Sequence, residues 1–225
     1  MRLLIMGTDT DAGKTVVSAG ILQELLAKGV KAAYYKPVAS GGDADLRFVA
    51  EVNQFTPEPK HCPIIFEEPV SPHLAARKTG VTLTKDILFK GIHALEADHD
   101  AVVIEGAGGI IVPLNDKGLF QYHLFQAFDG HVILVARTGV GTINHTLLSA
   151  SYLKEKQFKV AGIVFNGYTG ADYEDDNMDI ICRETGWPIL GVVRQTDGTM
   201  DQFRNTFARD INIDLIHQLG GHHEA

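Results

Sequence analysis

Six short runs, Leu3–Met6, Lys31–Lys36, Ala101–Glu105, Val132–Ala136, Val160–Asn166 and Ile189–Val193, are apolar without the alternating polar positions of a half-solvated sheet. Runs of that kind predict strands covered on both faces, and hence a parallel sheet. Between them, Thr15–Lys28, Ala44–Val52, Lys85–Ala97, Ile143–Lys156, Asp172–Glu184 and Asp201–Arg209 carry the helical spacing, and Gly29 and Gly186 stand where helices stop. The alternation predicts an α/β fold with helices on both faces of the sheet. The stretch 53–84, with Pro57, Pro59, Pro63, Pro69 and Pro72, reads as one long irregular connection, which usually belongs to a site or an interface.

At 225 residues the chain fits one domain, expected over 1–218, with a disordered tail over 219–225 where His222 and His223 adjoin Gly220 and Gly221. A net charge of −8 leaves no basic footprint for nucleic acid, so no such partner is expected. Two cysteines, Cys62 and Cys182, are too few to staple a chain this long and suit a reducing compartment. Residues 1–6 are too short for a signal peptide, and no apolar stretch approaches about 18 residues. The expectation is a cytoplasmic protein without a membrane partner. The ten histidines are scattered and suggest no metal cluster.

The first run leads into Gly7-Thr8-Asp9-Thr10-Asp11-Ala12-Gly13-Lys14-Thr15 and then a helix. Strand, phosphate loop and helix therefore arrive in the order a nucleoside triphosphate site needs. Backbone N–H groups and the helix N-terminus face the phosphates, Lys14 reaches the outer ones, and the Thr15 hydroxyl can ligate Mg²⁺. The usual spacing puts the loop's first glycine at position 8, where Thr8 stands, and Gly7 lies one residue early.

In open α/β sheets ligands bind beyond the carboxyl ends of the strands, so chemistry is sought there. Lys36-Pro37-Val38-Ala39-Ser40 brings a cation and a hydroxyl to the second strand's end. Lys36 either stabilises an anionic intermediate or is a solvated lysine before a turn. Glu105, ahead of Gly106-Ala107-Gly108-Gly109, resembles the acid that holds Mg²⁺ in phosphate-loop proteins; Thr15, Glu105 and Asp45 make a plausible oxygen set, with Asp43 as the alternative or as a helix cap. Asn166 either reads an adenine edge or turns the chain before Gly167. Gly139-Val140-Gly141-Thr142-Ile143-Asn144-His145 either offers N–H groups to a carboxylate or is an ordinary capped helix start.

Gly7-Thr8-Asp9-Thr10 through Thr15, Lys36-Pro37-Val38-Ala39-Ser40-Gly41, Ser71-Pro72-His73, Glu105-Gly106-Ala107-Gly108-Gly109 and Gly141-Thr142-Ile143-Asn144-His145 together resemble the dethiobiotin synthetases, over residues 1–170. The displaced glycine fits, because this family's loop opens the same way. The resemblance implies a single-domain P-loop NTPase fold and an ATP- and Mg²⁺-dependent enzyme. It carboxylates 7,8-diaminononanoate with CO₂ and closes the ring to dethiobiotin, in biotin synthesis. It further implies that Lys14 and Lys36 are catalytic, and that Thr10 and Ser40 orient the diamine. Asp11, Ala12, Gly13, Lys14, Thr15 and Val16 wrap the phosphates, Glu105, Gly106, Ala107 and Gly108 line the γ-phosphate, and Thr15, Asp45 and Glu105 hold Mg²⁺. Asn166 with Arg194, Gln195 and Thr196 takes the adenine. A homodimer with shared sites is implied, in which Gly141, Thr142, Ile143 and Asn144 bind the substrate tail from the partner subunit.

Asn177 stands where familiar members place a tyrosine on that tail, and the stretch from Asp197 to Ile216 is longer and more helical than the family suggests. A nucleotide-switch ATPase of the partition or septum-site type shares this fold. It carries an extra lysine where this chain has Asp9, and a basic membrane helix for which no equivalent is read here.

Overall fold

The computed structural model describes residues 1–196 and 198–219. In chain order the elements are β1 (Arg2–Gly7), α1 (Lys14–Ala27), β2 (Ala32–Tyr35), β3 (Ala39–Ser40), α2 (Ala44–Asn53), β4 (Ile65–Phe66), α3 (Pro72–Thr79), α4 (Lys85–Glu96) and β5 (Ala101–Glu105). They continue with α5 (Gln121–Phe128), β6 (His131–Arg137), α6 (Thr142–Glu155), β7 (Val160–Tyr168), α7 (Asp172–Thr185), β8 (Ile189–Arg194), α8 (Met200–Asp210) and α9 (Ile213–His217). The six expected strands form one sheet in the order β2-β5-β1-β6-β7-β8, with every pairing parallel. Each expected helix is present, with its ends moved by no more than one residue.

Period-two alternation divides the core into two layers. Leu3, Ile5, Tyr34, Val103, Ile133, Val135 and Val164 point to the side covered by α1, α2, α8 and α9. Leu4, Met6, Tyr35, Ile104, Leu134 and Phe165 point to the side covered by α4, α5, α6 and α7. The C-terminal helices belong to the first layer because α1 offers a glycine there. A Cβ on Gly20 would meet the Phe207 and Ile211 side chains at 2.7 Å, so the absent side chain admits the crossing of α8.

The stretch 53–84 departs from its expectation. It contains β4, which pairs with β3 in a separate two-stranded parallel ladder, and the helix α3. Two-residue strands carry no readable period, and Pro72 sits in the first turn of α3, where the missing N–H costs nothing. One of the prolines that marked the stretch as irregular is thus a helix start. Helix α5 was also not expected; its buried side, Leu124, Phe125 and Phe128, spans too few turns to separate from a strand by pattern. Asp197 and most of the expected tail, from Gly220 onward, lie outside the described residues.

Candidate active site

Strand register assembles the centre. Ile5 stands opposite Glu105, Gly7 opposite Val135 and Tyr35 opposite Ile104, so Lys36, one residue beyond β2, falls beside Glu105 at the carboxyl edge. Tyr34, Lys36 and Glu105 share the face that packs under α1, whose first turn brings Lys14 and Thr15. Glu105 is fully buried, and its Oε1 accepts from Lys36 Nζ at 2.7 Å and from Thr15 Oγ1 at 2.9 Å. Its Oε2 accepts from the Tyr34 hydroxyl at 2.9 Å. Lys36, also buried, forms a second ion pair with Asp45 in the first turn of α2. Asp43 does not join this group; it pairs with Arg47 at 2.8 Å on the solvent side of α2, and its side chain makes no cap bond. Of the two aspartates, Asp45 is the one that reaches the cluster.

Burying an ammonium is expensive unless carboxylates surround it. Burial alone would lower the Lys36 pKa, but Glu105 and Asp45 outweigh it and hold the group above its ordinary value, so Lys36 stays charged. Burial would likewise raise Asp45, yet Lys36 and the Thr15 hydroxyl keep it below the usual carboxylate range. Burial, followed by Glu105, raises the Tyr34 hydroxyl well above its normal value and keeps it a donor. Lys14 fares differently: burial lowers it, neighbouring Lys36 adds to the effect, and the opposing pull of Glu105 does not restore it. Two cations stand close together and, among the described residues, only Lys36 forms ion pairs, an arrangement suited to an anionic ligand.

The phosphate loop shows why its glycines stand where they do. Lys14 folds back over the loop and donates to the Asp9 carbonyl at 3.0 Å. A Cβ on Gly7 would lie 3.0 Å from Lys14 Nζ and 2.9 Å from that carbonyl, so Gly7 clears the lysine's path. Gly13 caps α1 in the left-handed region at φ 94°, and a Cβ there would fall 2.0 Å from Asn166 Nδ2. Asn166 therefore lies against the loop. Beyond it, Gln195 N donates to Tyr168 O at 2.9 Å, and Arg194 is bound through both its backbone N–H and its guanidinium to the buried Asp210. Asn166 and the Arg194–Thr196 segment thus gather at the ends of adjacent strands β7 and β8, beside the loop. None of them lines the main cleft.

That cleft has a volume of about 880 Å³ and is lined by Thr10, Asp11, Gly13, Lys14, Thr15, Lys36, Ser40, Asp45, Glu105 and Ala107 to Val112, with Pro69 to Pro72 on one wall. Ala12 and Val16, next to these residues in the loop and in α1, do not line it. The Ser40 Oγ is buried there without a hydrogen-bond partner among the described residues. Later turns of α6, Leu148, Ser149 and Tyr152, reach the rim, but Gly141, Thr142, Ile143 and Asn144 do not line the cleft. Gly141 caps α6 at φ 92° with no side-chain cap, and Thr142 donates instead to Arg137 O, so the helix start is neither Thr-capped nor Asn-capped.

The turn before α6 is held from behind. Asn177 Nδ2 donates to Thr138 O at 2.9 Å, so the residue aligned with a tail-binding tyrosine braces this turn. Thr138 Oγ1 donates to Glu174 at 2.6 Å, and Glu174 also accepts from Thr169 N, Thr169 Oγ1, Gly170 N and Ala171 N. Sequence reasoning also missed Tyr34, Arg137 and Gln121. Tyr34 reads as a core residue, Arg137 Nε donates to Asp11 O at 3.1 Å, and Gln121 grips the Gly106–Gly109 loop from outside the motif.

The chain matches the family model described as an AAA domain over residues 1–202. It is 40% identical over 199 residues to the ATP-dependent dethiobiotin synthetase of Anoxybacillus flavithermus, covering 84% of this chain and 89% of that one. The same enzyme of Caldicellulosiruptor saccharolyticus is 34% identical over 234 aligned positions and covers 96% of both chains. The chain belongs to the ATP-dependent dethiobiotin synthetase family. Among solved structures, the Aquifex aeolicus MinC:MinD cell division complex superposes with a TM-score of 0.61, 12% identity and coverage of 100% of this chain and 97% of that one. The cell division ATPase MinD of Pyrococcus furiosus gives 0.58, 15%, 97% and 99%. At such identities the septum-site proteins share the P-loop fold alone with this synthetase-family chain.

The Glu174 node makes a pH-dependent stability claim. Burial opposes ionisation, but the Thr138, Ala171 and Thr169 donors prevail and draw Glu174 down to about 2. A depressed carboxylate stabilises the fold above its unfolded pKa and loses that contribution as pH falls through the folded value. Glu174→Gln is therefore expected to lower unfolding stability at pH 7 by roughly 1–3 kcal/mol. The gap to the parent should close as pH drops from about 4.5 towards 2, read by urea denaturation across that range.

Proposed function

We propose that this chain catalyses ATP-dependent closure of a cyclic urea: 7,8-diaminononanoate, CO₂ and ATP yield dethiobiotin, ADP and phosphate, a step of biotin synthesis. The observation that carries the reading is one cleft lined by both Lys14 and the buried, doubly paired Lys36, together with the Ser40 hydroxyl, which has no partner among the described residues. A nucleotide switch needs the phosphate loop; it does not need a second buried cation and a free hydroxyl in the same cleft.

In this reading an unprotonated amine of the substrate adds to CO₂ and loses a proton, giving a carbamate. A carbamate oxygen then attacks the γ-phosphorus, and ADP leaves. The second amine attacks the carbonyl carbon of the mixed anhydride, loses a proton and expels phosphate. Lys14 neutralises the outer phosphates, its lowered pKa reflecting a charge that gains when an anion arrives. Lys36 faces the carbamate and its phosphorylated form, while Thr10 and Ser40 orient the diamine. Asn166 and the Arg194–Thr196 segment receive the base beside the loop.

Thr15 Oγ1 and the carboxylates of Asp45 and Glu105 converge, with Thr15 Oγ1 2.9 Å from Glu105 Oε1, and such hard oxygens fit Mg²⁺. When bound, the metal would neutralise phosphate charge. The carboxylates that would hold it also hold Lys36, so metal and lysine share one oxygen set.

The direct test supplies ATP, Mg²⁺, ¹³C-bicarbonate and the diamine, and follows the product by mass spectrometry. A cyclic urea carrying one ¹³C per phosphate released is expected. ATP hydrolysis without labelled product would refute the synthetase reading.

The site is proposed to be shared in a homodimer. The Gly141–Asn144 helix start does not line its own cleft, while Leu148 and Ile111, both exposed, present apolar surface at the rim, and Val140 beside that helix start is exposed as well. Lys36→Ala and Gly141→Phe should each be inactive alone. Mixed in equal amounts after subunit exchange, they should recover about a quarter of the sites, because one site of each mixed dimer inherits neither defect. Continued inactivity after demonstrated exchange would place the tail-binding helix within one chain.

A further inference from the structure

The excursion between β5 and α5 carries the Gly-rich loop of the cleft, and its backbone donors can be traced one by one. Gly106 N donates to Ile5 O at 3.0 Å, which extends the sheet. Ala107 N donates to Gln121 Oε1 at 2.6 Å, and Gln121 Nε2 in turn donates to Gly109 O at 2.7 Å. Gln121 is 2% exposed and is itself anchored by its backbone N–H on Val112 O at 2.8 Å. The fit is tight, since a Cβ on Gly106 would lie 2.9 Å from Gln121 Nε2.

One primary amide therefore closes a ring around Ala107, Gly108 and Gly109, using an acceptor at one end and a donor at the other. A carboxamide supplies both without any change of protonation. Two consequences follow for the cleft. The Ala107 N–H is already committed to protein and is not available to a ligand. The N–H groups of Gly108 and Gly109, among the described residues, have no protein partner, although both residues line the cleft. Gly108 adopts φ 60°, a conformation that glycine tolerates and the staple fixes.

We propose that Gln121 is a positioning residue: its amide staple shapes the Gly106–Gly109 loop so that the Gly108 and Gly109 N–H groups meet the terminal, transferable phosphoryl group. The role rests on the phosphoryl-transfer reading above, but it can be measured without the diamine. Preorganised backbone donors gain their effect from being fixed before the charge arrives. Releasing the loop should reduce recognition of the third phosphate and leave the phosphate loop's backbone contacts with the other two.

The experiment compares Mg-ADP and Mg-AMPPCP binding by calorimetry in the parent, Gln121→Met and Gln121→Glu. Methionine fills a similar volume without either hydrogen bond. The expected result is ADP affinity within about threefold of the parent in both variants, with AMPPCP affinity reduced at least about tenfold in Gln121→Met. Gln121→Glu keeps an acceptor for Ala107 N but sets a carboxylate against the Gly109 carbonyl. Its AMPPCP affinity should rise as pH is lowered and the introduced carboxyl gains a proton to donate. A merely structural role lowers the melting temperature and weakens both nucleotides in parallel. That parallel loss, or unchanged AMPPCP binding in a folded Gln121→Met, would overturn the proposal. If the parent makes no cyclic urea yet the selective AMPPCP loss appears, Gln121 keeps its role and the synthetase reading alone fails.

Discussion

The buried pairing of Lys36 with Glu105 is the contact on which the rest of the site depends. Each is nearly or wholly removed from water, so either charge alone would carry a desolvation penalty of several kcal/mol. Every neighbouring feature supports their joint presence. Tyr34 and Thr15 donate further hydrogen bonds to Glu105, and Asp45 gives Lys36 a second counter-charge. The register that places the first residue after β2 beside the last residue of β5 makes the pair possible. A buried ion pair is weak evidence for stability, because an apolar pair can fill such a space at less cost. Its presence at the carboxyl edge of a parallel sheet is better explained by an anion that uses the charge.

The phosphate loop and the second lysine then divide the cleft. Among the described residues Lys14 has no ion-pair partner, and it is held by a backbone carbonyl that a phosphate can replace. Lys36 is fixed and stays charged. One cation is thus free to engage a phosphate while the other keeps its place, the combination that the proposed synthesis through an anionic intermediate would use.

Much of this was legible along the chain, because strands apolar on both faces have a distinct pattern and end on polar residues. Lys36, Glu105 and Asn166 each close or follow such a run, and that alone assembled them at one edge. The Asp43–Asp45 choice turned on which side of a helix faces the sheet, a phase that two residues of spacing leave open until α2 is placed. The sequence was silent on Gln121 because its partners are backbone atoms of a loop whose shape exists only in three dimensions. It hid α3 because Pro72, which starts that helix, stands among four other prolines in a stretch whose composition reads as irregular. Asn177 stood out in the sequence only as a departure from the family's tail-binding tyrosine; that its amide braces Thr138 O could be seen only once α7 was placed behind the turn.

The division of labour between the lysines is open to one decisive measurement, single-turnover phosphate release by Lys36→Met beside the equilibrium affinity for ATP. If Lys36 acts on the carbamate and its phosphorylated form, ATP affinity stays within a few-fold of the parent. Release in the presence of saturating diamine and bicarbonate should then slow by at least about a hundredfold, the scale of losing one fixed electrostatic stabiliser. Near-normal release by a folded variant would contradict that role and reduce Lys36 to a structural counter-ion of Glu105.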